Sequence, residues 1–254
     1  MIALLDWILF IITIIPVSYF FIFSFASLFD FNPNDEAPKN YRKFLFIFTD
    51  EGTKEDKATS LKSIHEQDYR SNYVGIDDEI ANYDALILLE SGATIKPNFL
   101  KEMNKALDSY NIVQAHIVTK NKKTTEDLFF NAIREMSNSI YKKGYFNLGY
   151  SSALDKTAIA VKADLLSSND LAVDQLQALR RSGEKVGYLD KTFVRTHYNK
   201  DLKLKPRRRI LLVWMFIIAI ISQIISPPLA LKWWGALAFS IFCIIMTIPY
   251  GNKT

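Results

Sequence analysis

The sequence predicts an α/β domain with a mainly parallel sheet and flanking helices, carried on three transmembrane helices. Three observations predict it. Between residues 43 and 195, short apolar runs bounded by turn formers alternate with segments of helical periodicity. From Trp7 to Phe29 there are 23 residues without a charge, enough to cross a bilayer core with some tilt. Ile210 to Leu231 and Trp233 to Tyr250 are two more uncharged runs, read as a hairpin of spans turned at Ser226-Pro227-Pro228 with Trp233 and Trp234 at the interface.

The chain divides accordingly into a transmembrane helix (1–29), a linker (30–42), a central domain (43–199), a basic juxtamembrane segment (200–209), a helical hairpin (210–250) and a tail (251–254). The first run reads as a retained signal anchor. It lacks a basic leader, carries Asp6, exceeds a usual signal-peptide core and has no small-x-small site before Asp30. Lys200, Lys203, Lys205 and Arg207 to Arg209 precede the second run, and Lys39, Arg42 and Lys43 follow the first. Basic residues stay on the cytoplasmic side, so the expected topology puts the N-terminus outside and both the central domain and the C-terminus in the cytoplasm. Phe31 to Pro206 holds 26 basic and 25 acidic residues, so the overall +4 arises at the membrane border. That balance argues against nucleic acid and leaves the lipid bilayer as the expected partner of the Arg207 to Arg209 cluster. The single Cys243 excludes intrachain disulfides and Cys-rich metal sites, and His65, His116 and His197 are too scattered for a histidine metal site.

In chain order, Asp30 to Tyr41 is polar and turn-rich and reads as the linker. Lys43 to Phe48 is a first strand ending at Thr49-Asp50-Glu51-Gly52, and a helix is expected from about Lys54 to Gln67 with Ala58, Leu61, Ile64 and His65 on one face. Tyr73 to Ile76 is a weak second strand closed by Asp77-Asp78-Glu79. The apolar run Ala85 to Leu89 is a strand buried on both faces, stopping at Glu90-Ser91-Gly92. Pro97 can start a helix, and Phe99, Leu100, Met103 and Leu107 repeat at helical spacing. Asn111 to Val118 is a fourth strand, followed by a basic loop in which Lys120, Lys122 and Lys123 read as solvated. Thr125 caps an expected helix over about Glu126 to Lys142, then Gly144 to Tyr150 is a loop and Ala158 to Val161 a fifth strand. A helix from Asp170 to Arg181 ends at Gly183, and Val186 to Leu189 with Thr192 to Val194 are expected edge strands. His116, in an alternating strand, reads as packed rather than catalytic.

Four segments carry a resemblance to a known family: SLKSIHEQDYRSNYVGI with Gln67-Asp68-Tyr69, YDALILLESGATIKPNFLKEMNKAL, IVQAHIVTKN with Gln114 and Asn121, and the pair SSALDKTAIAVKADLL and GEKVGYLDKTFV. In that order, between apolar spans, they make the chain similar to membrane-bound family 2 glycosyltransferases. The resemblance implies a GT-A (nucleotide-diphospho-sugar transferase-like) fold over most of residues 40 to 195. It also implies a multi-pass protein of a bacterial inner membrane.

The chain departs from the family where the chemistry is done. Aligned through Pro97, Phe99 and Leu100, the family's metal-holding Asp-x-Asp falls on Glu90 and Gly92, leaving one carboxylate to screen a leaving diphosphate. Only DDEIAN separates Ile76 from Tyr83, where the family places much of its nucleotide pocket. Asp50 and Glu51 together with Asp77 and Asp78 are the candidates for a residual nucleotide-sugar side; Asp50-Glu51 reads more readily as a solvated acidic helix start. The family's base falls on Leu171 and Ala172, with Asp170 and Asp174 as the nearest candidate carboxylates. HYNKDLKLKPRRR carries no Gln-x-x-Arg-Trp. The expected function is a degenerate, non-catalytic glycosyltransferase-like accessory or structural subunit of a membrane assembly, with membrane-protein partner subunits and no cofactor. The alternative is a minimal active enzyme, with manganese or magnesium at Glu90, that moves a sugar from a nucleotide-sugar donor to a membrane-proximal acceptor.

Overall fold

A computed structural model describes residues 2–29, 40–70, 73–76, 78–120, 125–166, 176, 178–179, 181–196, 233–239 and 241–242. Seven strands form one sheet: β1 (Phe44–Phe48), β2 (Val74–Ile76), β3 (Ala85–Leu89), β4 (Thr94–Ile95), β5 (Ile112–Thr119), β6 (Ile159–Lys162) and β7 (Val186–Thr196). The helices are α1 (Ile2–Ala26), α2 (Lys54–His65), α3 (Phe99–Ala106) and α4 (Thr125–Ser137); a π-helical segment (Asn138–Gly144) and a short turn (Tyr145–Asn147) extend α4.

The strand order is β2-β1-β3-β6-β5-β7-β4. The expectation of a mainly parallel sheet needs correction in detail. β1 pairs in parallel with β2 and β3, and β5 with β7, but β6 runs antiparallel to both β3 and β5, and β4 antiparallel to β7. Five strands share one direction and β4 and β6 oppose them, so the sheet is mixed. β6 enters between β3 and β5 from the opposite edge, which carries its preceding loop across their carboxyl ends.

All five residues of β3 are buried, as its unbroken apolar run requires, because side chains cover both faces of the sheet. On one face, α3 contributes Phe99, Leu100, Met103 and Leu107 to the core with Phe44, Phe46, Ile87 and Leu89. On the other, Leu86 and Leu88 meet Ile159, Val161, Val186 and Leu176. The Gln67-Asp68-Tyr69 sequence fastens α2 to α3. Gln67 Oε1 accepts from Leu100 N at 3.2 Å and its Nε2 donates to Lys96 O at 2.7 Å, while Asp68 N donates to Pro97 O at 2.8 Å. The side chain of the α3 N-cap, Asn98, makes no capping bond, and a glutamine from the neighbouring helix satisfies one of the open amides.

Three element boundaries differ from expectation. The helix after Thr125 changes to π geometry at Asn138, and the expected loop after Gly144 begins with a helical turn. The two expected edge strands are one strand, β7, flanked by β5 and at its far end by β4. Ala115 pairs with Leu189 but His116 with Phe193, so β7 carries three extra residues, Asp190 to Thr192, spliced into the ladder.

α1 rests on the π-helical segment. Phe23 stacks on Tyr145 with centroids 4.3 Å apart, and Asn147 Nδ2 donates to Ala26 O and Phe29 O at 2.8 Å each. Gly144 lies against Phe23 O so closely that a Cβ would collide. Val17 also packs with Ala236 and Leu237. Among the described residues no helix is long and apolar enough to cross a membrane. The three expected spans are therefore not established by the described structure. The run Ile210 to Leu231 lies outside the described residues, as does half of Trp233 to Tyr250.

Candidate functional site

The carboxyl ends of β1, β3 and β5 face the loop that enters β6, and ligands in open α/β sheets bind beyond such strand ends. β3 hands over to Glu90 there, and the turn is held from three sides. Glu90 N donates to Thr157 Oγ1 at 2.9 Å, Ser91 N to Asp50 Oδ1 at 2.6 Å, and Gly92 N to Asp56 O at 3.1 Å. Lys120 Nζ donates to Gly92 O at 2.6 Å, so this lysine, expected in solvent, instead closes the turn, and burial pushes its pKa down. The β1 turn is fitted to the β3 turn: Gly52 has φ +42°, and a Cβ there would collide with Ser91.

Glu90 is the exception in this knot. Among the described residues its carboxylate has no hydrogen-bond or ion-pair partner, and burial raises its pKa, with Arg134 opposing and Asp50 and Asp155 reinforcing. Such a carboxylate costs free energy to bury, and the cost persists without a ligand to repay it. Two positions on, Gly92 adopts φ +79°, a conformation that an aspartate reaches only with strain.

The loop into β6 is clamped by Gln114, fully buried in β5. Its Nε2 donates to Ala115 O, Thr157 O and Ala158 O at 3.0 to 3.2 Å, and its Oε1 accepts from Asp155 N at 2.9 Å. Ala158, at the loop's end, sits at φ +62°, backbone strain that the four glutamine bonds hold in place. Asp155 pairs with the fully buried Lys142 at 2.5 Å. Burial works against both charges: it lowers Lys142, whereas the lysine holds Asp155 below the carboxylate range despite that burial.

The expected site residues do not converge. Asp50 reaches the crevice edge, but its carboxylate is taken by Ser91 N; Glu51 is exposed. Asp78 is exposed and accepts from Tyr83 Oη at 2.8 Å. Asp77, Asp170 and Asp174 lie outside the described residues. Glu90 is the candidate metal position, and among the described residues no three His, Cys, Asp or Glu side chains are grouped to hold an ion. The residues sequence reasoning missed are Lys142, Asp155, Thr157 and Arg134. A lysine inside a helical stripe and an aspartate in a loop give no signal until the fold brings them together.

No protein-family model matches the chain, and no curated protein matches it. Among solved structures, it is similar to a mannosyltransferase from Pyrobaculum calidifontis in complex with GDP-Man and Mn2+. The TM-score is 0.52 at 10% identity, over 99% of this chain and 88% of that one. TarS 1-349 of S. aureus in complex with UDP-GlcNAc is matched with TM-score 0.39 at 11% identity, over 81% of this chain and 80% of that one. The likeness to the first gives this chain a glycosyltransferase-like, GT-A-like fold.

Proposed function

We propose that the chain is a degenerate, non-catalytic glycosyltransferase-like protein that serves as an accessory or structural subunit of a membrane assembly. The observation that carries this reading is the acidic turn. Glu90 stands where a metal-binding pair would start, and Gly92, at φ +79°, stands where the second carboxylate would be. The other nearby carboxylates are committed: Asp50 to Ser91 N and Asp155 to Lys142. A divalent ion bridging a nucleotide diphosphate needs several oxygen ligands, and one glutamate is a poor fit.

A minimal active glycosyltransferase is the second reading, favoured by Glu90 itself, whose half-buried carboxylate is kept without a partner. In that case manganese or magnesium would bind at Glu90, Asp170 or Asp174 would act as base, and the donor would be a nucleotide sugar. The mannosyltransferase matched above was solved with such a donor and Mn2+.

Membrane attachment rests on α1. Leu4, Ile8, Ile11, Ile15 and Ile22 are exposed along it, a large apolar stripe on a 25-residue helix. We read this as insertion into the bacterial inner membrane with the N-terminus outside and the globular domain and C-terminus cytoplasmic. The partner subunits would meet the same helices. Calorimetric titration of the full chain in detergent with nucleotide sugars and manganese tests the main reading. The expected result is no saturable heat; micromolar binding abolished by Glu90→Ala would overturn it in favour of the enzyme.

A further inference from the structure

Behind the crevice, β5, α4, the π-helical segment and β7 enclose a set of charged side chains that the crevice chemistry does not use. His116 is at its centre. Its Nδ1 lies 2.8 Å from Tyr188 Oη and 3.5 Å from Asp190 Oδ1, and its Nε2 lies 3.2 Å from Glu135 Oε2. Asp190 belongs to the three-residue splice in β7, and its other oxygen takes Lys143 Nζ of the π-helical segment at 2.8 Å. One imidazole thus sits between carboxylates from two elements, with the Phe193 ring edge-on at 5.1 Å.

The pocket also holds a donor suited to the neutral ring. Asn138 Nδ2 lies 3.3 Å from His116 Nε2 and donates to Ile117 O at 2.8 Å, while its Oδ1 accepts from Lys142 Nζ at 2.8 Å. The lysine and the carbonyl fix the orientation of this amide, so it can only offer a proton to Nε2. An imidazolium donates from both nitrogens, Nδ1 to Tyr188 Oη with the Asp190 carboxylate beside it and Nε2 toward Glu135. A neutral ring that accepts from Asn138 leaves Glu135 facing a lone pair, and Glu135 Oε2 is already buried without a hydrogen bond.

We propose that His116 is a proton-controlled latch. As the imidazolium it ties the Asp190 to Thr192 insert of β7 to Glu135 of α4 and so holds the π-helical segment in the shape that seats α1; as the neutral ring, with its remaining proton on Nδ1 and Nε2 accepting from Asn138, it lets go of Glu135 and so uncouples α4 from the insert. The connection to α1 is geometric: the segment that supplies Asn138, Lys142 and Lys143 ends in Gly144, against which Phe23 O packs, and runs into Tyr145 and Asn147. The charged groups around the latch are Glu135 and, one residue before it, Arg134 on α4; Tyr188 and Asp190 on β7; Lys142 and Lys143 on the π segment; and Asp155, paired with Lys142.

Burial opposes the charge on His116, but Asp190 and Glu135 outweigh it and its pKa stays raised. The clamp's contribution is therefore complete below the unfolded histidine value, about 6.5, and lost as pH rises through the higher folded value. Asp190 is held down to about 2 against burial by His116 and Lys143, so it stays ionised throughout that window.

The test is hydrogen exchange on the full chain in detergent, from about pH 5 to about pH 9, corrected for intrinsic chemistry. Amides of the insert and of the π-helical segment are expected to lose protection together, by about tenfold for each pKa unit separating the closed from the open latch. Glu135→Gln, which keeps the ring, should move the midpoint down by about one pH unit. His116→Gln should abolish the pH dependence. The proposal is overturned by wild-type protection that is flat across the range, by a Glu135→Gln midpoint that does not move, or by a π segment that stays flat while the insert responds.

Discussion

The carboxyl end of β3 and the second half of β5 lie on two strands that flank β6, yet they handle polar groups in opposite ways. At the end of β3, side chains bind backbone: Asp50, Thr157 and Lys120 close the Glu90 to Gly92 turn, and the glutamate is left over. Around His116 in the second half of β5 and along the π-helical segment, side chains mostly bind side chains, with Lys142 on Asp155, Lys143 on Asp190 and His116 between two carboxylates. The first pattern preserves the shape of a crevice with little charge to act in it. The second places charge inside the fold, where each group depends on its partner and the loss of one strands another.

The sharpest way to break this contrast is at Lys142. Asp155→Asn should destabilise the protein by roughly 3 kcal/mol in chemical denaturation, the lower end for breaking a buried pair because the Asp155 side chain is 42% exposed. Converting both to similar-sized apolar residues should recover most of that loss; failure to recover would mean that the pair does more than neutralise itself. At the crevice, Gly52→Ala should cost about 1–3 kcal/mol, since a left-handed φ and contact with Ser91 coincide.

Smaller and opposite in sign is Glu90→Gln, expected to raise stability by about 0.5–1 kcal/mol at neutral pH in the same denaturation assay. The pH dependence gives its cause. With its folded pKa raised, ionised Glu90 opposes folding at high pH, and that penalty disappears as pH falls through the folded value. The wild-type minus Glu90→Gln difference should therefore shrink on acidification; a destabilising Glu90→Gln would show a hidden structural partner. Smallest of all is Lys101→Ala at the exposed bridge to Asp68, where thermal unfolding should register no change.

The framework was legible because its signals are local. The apolar run of β3, the helical spacing after Pro97 and the apolar face of Ala58, Leu61 and Ile64 in α2 each specify an element from a few neighbours. Thr53 forms a complete capping box with Asp56, which places the start of α2 where periodicity put it. Glu90 was likewise identified by its place after five apolar residues. Asp50 was legible as a crevice residue but not in its role, because that depends on Ser91, forty-one positions away. The mixed sheet escaped for a related reason: the apolar pattern of β6 is the same in either direction, and only its neighbours decide which way it runs.

The sequence by itself determined the α/β core, the apolar N-terminal helix and the single carboxylate at the end of β3, since burial pattern and residue identity suffice for each. Only the tertiary structure decided that Lys120 closes a turn, that Lys142 is buried on Asp155, and that β7 is spliced beside His116. Those outcomes depend on which distant groups share a low-dielectric interior. A charge there is tolerated only beside its partner, and the chain path alone brings the two together.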